Sequence, residues 1–282
     1  MFRLLALAAL VPAALASLAL PRSDLQGAAQ CAKALSQRSC ASRYPIDADS
    51  KATCCYNGAL HAGEKESGLL LQTQFWNAQP SFGPANSWTV HGLWPDYCDG
   101  SYPQFCSASS GIPEYSGPEI RAILAKYSPA TLAYMDLYWL SNDGDNAGFW
   151  DHEYNKHATC FSALRAQCQR PHADGRSPEE AALVGFFEET VERFRALPTF
   201  RWLKQAGIEP STTRTYATAD LEQALARRFG YAPHLGCTKS GELNEVWYYY
   251  HTYGPVVGGR YIPTASTFNS TCPKTGVKWL PK

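Results

Sequence analysis

Hydrophobic and polar positions change period several times along this chain. Leu69-Leu70-Leu71-Gln72-Thr73-Gln74-Phe75-Trp76 is apolar at first and alternating afterwards, which predicts a strand. Residues 87–93 predict a second strand, with Trp88, Val90 and Gly92 on one face and Thr89, His91 and Leu93 on the other. The period then lengthens. Pro118–Tyr127 and Pro129–Leu140 each open with proline near the first helical position, and residues 149–164 read as a further helix. Ser177-Pro178-Glu179-Glu180 is a capping box, followed by an apolar stripe of Leu183, Phe186, Phe187, Val191 and Phe194. Residues 29–42, between Cys31 and Cys40, predict a short helix, as do Asp220–Phe229. Glu245–Tyr253 is an aromatic strand whose run Trp247–Tyr250 is expected in the sheet core. Segregated strands and helices of this kind predict an α+β fold, a mostly antiparallel central sheet flanked by helices.

The first residues belong to a different class. Arg3 precedes an apolar run to Leu15 and small residues through Ala16, the pattern of a secretory signal peptide over residues 1–16, with cleavage after Ala19 also open. A membrane anchor is the competing reading, and the run is short for a span. No linker or repeat divides 17–282, so one catalytic domain is expected there; the Ser-, Pro- and Gly-rich stretch 101–118 reads as a loop.

All ten cysteines follow the leader, and none forms a C-x-x-C pair. Disulfide bridges in an oxidising compartment are expected, with secretion or a vacuole-like destination both reached through the same signal. Cys54 and Cys55 are adjacent and require different partners, because a vicinal bridge is strained. Spacing alone leaves the pairing open. Asn269-Ser270-Thr271 is a glycosylation sequon. Lys plus Arg number 25 and Asp plus Glu 25, a balance that excludes strong nonspecific attraction to a polyanion. A nucleic-acid substrate would be held at a local site, by a chain expected to be monomeric.

Two segments carry candidate chemistry: residues 87–95, containing His91, and residues 149–160, containing His152, Glu153, Lys156 and His157. At 100° per residue, with His152 at zero, Lys156 falls at about 40°, Glu153 at about 100° and His157 at about 140°. One helical face therefore holds all four. Taken alone, a solvated charged face is an equally good reading. His91 adds what phosphodiester chemistry needs. One histidine can take a proton from a ribose 2′-OH, another can protonate the departing 5′-oxygen, and a lysine can stabilise the transition-state charge. The substrate supplies the nucleophile, so DNA should resist. His152 and His157 are five residues apart where a zincin places its histidines at i and i+4, so no metal and no cofactor are expected. His61, His172, His234 and His251 lack charged companions at motif spacing and read as surface or hydrogen-bonding residues.

His91-Gly92-Leu93-Trp94-Pro95 and the His152-Glu153…Lys156-His157…Cys160 pattern resemble the two active-site segments of the ribonuclease T2 family, the secreted, base-nonspecific acid endoribonucleases. The cysteine order resembles the fungal branch. The resemblance implies an α+β fold and single-stranded RNA as substrate. It implies His157 as general base, His91 as general acid, and His152, Glu153 and Lys156 as phosphate-binding and transition-state groups. It implies a first base site at Trp94, Asp96 and Tyr102, and a second at Phe149 and Gln74, with core packing or loop structure the alternative for each. It further implies the bridges Cys31–Cys55, Cys40–Cys98, Cys54–Cys168, Cys106–Cys160 and Cys237–Cys272. A catalytically inactive binding or storage protein is the alternative function; loss of His91 or His157 would mark it, and both are present.

Overall fold

A computed structural model of the chain describes residues 32, 35–41, 54–56 and 67–282. The signal peptide, most of the helix expected over 29–42, Cys31 and His61 lie outside the described residues. The strands are β1 (Ser67–Phe75), β2 (Thr89–Tyr97), β3 (Thr215–Tyr216), β4 (His234–Cys237), β5 (Leu243–Tyr253), β6 (Arg260–Thr264) and β7 (Val277–Lys278). The helices are α1 (Ser107–Ser110), α2 (Gly117–Tyr127), α3 (Pro129–Tyr138), α4 (Asn146–Lys156), α5 (Pro178–Arg195), α6 (Thr199–Gln205) and α7 (Thr218–Phe229). The fold is α+β, as the sequence predicts.

The main sheet runs β2-β1-β5-β4, with β6 also paired to β5 and every pairing antiparallel. The β3 and β7 strands form a separate pair. On one face of the sheet, Leu70, Val90, Leu93, Val246 and Tyr248 pack with Phe186 and Phe187 of α5. Those two phenylalanines are completely buried, each contributing about 1.5–3 kcal/mol of transfer free energy. The opposite face carries a small cluster of Leu69, Leu71 and Tyr249 against Trp94 and Trp247. The site lies on this second, less covered face.

Two departures from the expected elements place the site. The β1–β2 register shifts between Thr73, opposite Gly92, and Gln74, opposite Val90, so no β1 residue opposes His91. A bulge of this kind interrupts alternation and re-aims a side chain. Val90 and Leu93 therefore both reach the core, and the expected split of Val90 and Leu93 onto opposite faces does not hold. The strand also continues past residue 93 to Tyr97. In the second departure, α4 starts earlier and stops sooner than expected. Asp145 caps it by accepting from the Gly148 N–H at 2.9 Å. The helix ends at Lys156, His157 is its C-cap, and short 3₁₀ turns follow through Cys168. Periodicity continued the helix because nothing in the side-chain pattern marks the switch.

Disulfides hold the irregular segments. Cys40–Cys98, Cys54–Cys168, Cys106–Cys160 and Cys237–Cys272 are formed. Cys55 is also disulfide-bonded; its implied partner Cys31 lies outside the described residues. Cys106–Cys160 fastens the 101–106 loop just beyond the end of α4. No helix among the described residues is long and apolar enough to cross a membrane.

Candidate active site

The bulged β2 and the last turns of α4 meet at Glu153. Its carboxylate is 1% exposed and lies 3.5 Å from His91 Nε2. Its Oε2 accepts the Trp94 indole N–H at 2.7 Å. The Trp94 ring stacks on His157, centroids 4.7 Å apart and planes 17° apart, and meets His91 edge-on at 4.6 Å. His91 is also stacked on Phe75 at 3.8 Å, with Phe149 at 5.9 Å. Trp94 and Glu153 thus lock the strand histidine and the helix histidine into one unit. Neither ring nitrogen of His157, nor Nδ1 of His91, has a hydrogen-bond partner among the described residues.

Electrostatics follow from burial beside Lys156. Burial first, then the Lys156 charge and His91, push His157 down to about 2. His91 is held well below the usual histidine range by burial, Lys156 and His152. His152 is shifted down by burial and Lys156, less enclosed than the other two. Burial pushes the Glu153 carboxyl up to about 8, opposed by the Trp94 hydrogen bond and by Lys156. Burial and Lys156 thus favour uncharged histidines around one lysine, a setting in which an anion is attracted and favours the protonated form of a histidine beside it.

Two cavities flank this centre. One, of about 410 Å³, is lined by Trp94, Asp96, Tyr102, Lys156 and His157, with Leu71, Trp247, His234, Phe268, Asn269 and Thr271 completing it. Asp96 is 3% exposed, and burial with nearby Asp99 pushes its carboxyl up to about 8. The other, of about 370 Å³, is lined by Phe75, Asn77, Leu140, Ser141, Asn142, Phe149, Asn244 and Glu245. Both are large enough for a flat heterocycle.

Gln74 is the candidate that the structure removes. Its side chain is fully buried on the helix side of the sheet, donating to the Leu197 carbonyl at 3.2 Å and accepting from Thr199 Oγ1 at 2.7 Å. Alternation along β1 turns it away from the site and turns its neighbour Phe75 toward it. Phe75 and Asn77 are the residues that sequence reasoning missed here. The same alternation, counted from the site-facing Leu71, would have found Phe75. His234, expected at the surface or in a hydrogen bond, is buried, hydrogen-bonds the backbone at Phe268 and Asn269, and lines the first cavity with its ring 4.5 Å from that of Trp247. Trp247 faces this cavity too, while Tyr248 behind it belongs to the core.

Histidines, a carboxylate and a lysine set between two ring-sized cavities suit acid–base cleavage of a polymer with flat side groups, the chemistry of a nuclease. The chain belongs to the ribonuclease T2 family, whose family model matches residues 67–266, and it is an endoribonuclease by class. It is 41% identical over 237 residues to ribonuclease Le2 of Lentinula edodes, covering 83% of this chain and 92% of that protein. It is 41% identical over 233 residues to ribonuclease T2 of Aspergillus oryzae, covering 82% and 78%. The crystal structure of Actibind, a T2 ribonuclease, is similar over 88% of this chain and 97% of its own, with 38% identity and a TM-score of 0.76.

Proposed function

We propose that the protein is a secreted endoribonuclease that cleaves single-stranded RNA with little base preference, through a 2′,3′-cyclic phosphate and then a 3′-phosphate. In this reading His157, held toward its uncharged form by burial and by Lys156, removes the 2′-OH proton. His91 takes a proton from the mildly acid solvent, its protonated form stabilised by the phosphodiester anion beside it, and passes that proton to the departing 5′-oxygen. His152 and Lys156 hold the phosphate, and Glu153 stands where its carboxyl can orient His91 and the phosphoryl oxygens. The 2′-OH nucleotide lies in the cavity of Trp94, Asp96 and Tyr102, because His157 lines it. The downstream nucleotide lies against Phe149 and Phe75, beside His91. Stacking on aromatic faces tolerates any base, which supports broad specificity. A glycan on Asn269, exposed at the first cavity, would stand at its rim.

The observation that carries this reading is the single Trp94–Glu153 pair touching both histidines. The test is RNA and matched DNA with the purified, oxidised protein in EDTA at mildly acid pH, assayed for end chemistry. Cyclic phosphate ends from RNA alone are expected. No cleavage by folded protein, or cleavage of DNA, overturns it.

A further inference from the structure

The second cavity is lined by groups of unequal discriminating power. Phe75 and Phe149 offer faces on which any base can stack. Asn77, Asn142 and Asn244 carry both a donor and an acceptor, and an amide turns over to suit either partner. Glu245 differs. It is the one ionisable side chain in this lining, and as a carboxylate it offers acceptor positions and no donor. Its surroundings fix it in place. On β5 it lies opposite Phe75 of β1 and Gly236 of β4. A Cβ at position 236 would come within 2.8 Å of the Glu245 Cβ and 3.3 Å of its Oε2, so glycine leaves the carboxylate its room. Trp247, two residues along the same face of β5, donates its indole N–H to Oε2 at 3.0 Å. Oε1 takes no hydrogen bond among the described residues and is not sealed inside the protein.

Of the four RNA bases, guanine alone presents two adjacent donors, N1–H and N2–H, on its Watson–Crick edge. Adenine and cytosine present an amino donor beside an acceptor nitrogen, and uracil one N–H between two carbonyls. That edge is what a protein reads on an unpaired base. We propose that Glu245 reads the downstream base, and that the enzyme cleaves fastest where this base is guanine, both donors going to the one carboxylate. Paired, charge-assisted bonds to a carboxylate are stronger than neutral ones and fix the geometry of the pair. The bond from Trp247 leaves Oε2 a second lone pair and holds the carboxylate plane still, as a preorganised site requires. The result is a preference in rate laid over a reaction that accepts every base, since stacking on Phe75 and Phe149 is common to all four. Burial raises the Glu245 carboxyl, opposed by the Trp247 hydrogen bond, so neutral pH favours the ionised form that guanine needs. The inference rests on the assignment of this cavity to the downstream nucleotide.

The test compares kcat/KM, at neutral pH, for dinucleoside monophosphates that share the upstream nucleoside and carry guanine, adenine, cytosine, uracil or hypoxanthine downstream. In the wild-type protein guanine should exceed the other three RNA bases by about tenfold, the low end of what a bidentate base contact discriminates. Hypoxanthine, which is guanine without its 2-amino group, should lie between. Glu245→Gln keeps the size and the acceptor for Trp247 but turns an N–H2 group toward the base. It should lose the guanine advantage, while the preference among upstream bases stays the same in both proteins. A carboxylate that only props Trp247 would, when changed, lower all substrates together, and unchanged ratios in Glu245→Gln overturn the inference. A wild-type protein with no guanine advantage overturns it too, as does one that cleaves the hypoxanthine and guanine substrates equally, and neither result needs a variant to fold. A wild-type protein that cleaves none of the substrates overturns the ribonuclease reading first.

Discussion

The indole N–H of Trp94 is bonded to the Glu153 carboxylate while the same ring is stacked on His157. One side chain thus sets the position of two others. Trp94→Phe keeps a ring against His157 but leaves Glu153 Oε2 without its donor. A hydrogen bond is worth about 0.5–1.5 kcal/mol to a neutral group and about 1.5–3 kcal/mol to a charged one. The expected result is a fall in kcat of about tenfold to a hundredfold, with KM changed much less. A loss confined to KM would show that Trp94 acts only as a base platform.

Gly92 stands where no side chain fits. A Cβ there would overlap the Glu153 carboxylate and come within 2.6 Å of Trp94 Nε1. Neither group can retreat without breaking the bond between them. Gly92→Ala should therefore give a folded protein with Glu153 displaced and cleavage reduced more than in Trp94→Phe. Near-UV circular dichroism and steady-state kinetics together check this. Wild-type kinetics in the alanine variant would contradict the close approach.

Lys156 is the second cause, after burial, of the low values at His91, His152 and His157. A neighbouring positive charge disfavours the protonated ring, so its removal must move all three upward. Lys156→Met should shift each histidine titration, followed by NMR on the ring protons, toward higher pH. Unmoved histidines would show that Lys156 is screened from them.

Asp96 links the first cavity to stability. Its folded value, about 8, lies above its unfolded value, so the native state holds a proton that the unfolded chain releases. That stability is fully present below about pH 4 and is lost as pH rises through 8. The buried histidines act oppositely: His157, pushed down to about 2, contributes stability that grows with pH and is complete above about 6.5. Between pH 6.5 and 8 the falling part belongs to the buried acids, Glu153 included. Each retained proton contributes a slope of up to about 1.4 kcal/mol per pH unit. Asp96→Asn should flatten the fall of Tm with pH in that window. An equally steep fall would place the proton elsewhere.

The elements with a strong local signal were legible in the sequence. The α5 helix begins at its capping box and carries its apolar stripe into the core. The candidate site residues stood out for a similar reason, since His152, Glu153, Lys156 and His157 occur within one short segment. Gln74 was misread because strand faces alternate and a single step separates core from cavity. Asn77, Asn244 and Glu245 gave no signal, because they reach the second cavity from separate parts of the chain.

Composition and local pattern by themselves determined the α+β class, the helix starts and which residues are candidates for proton handling. These depend on period, capping and side-chain chemistry, all of which are local. Only the tertiary structure decided that a bulge aims His91 out of alternation, that α4 ends at Lys156, and that Trp94 joins Glu153 to His157. The bulge is set by pairing β2 with β1 and the Trp94–Glu153 contact by packing β2 against α4 across 59 residues of sequence, a separation over which no periodicity carries information.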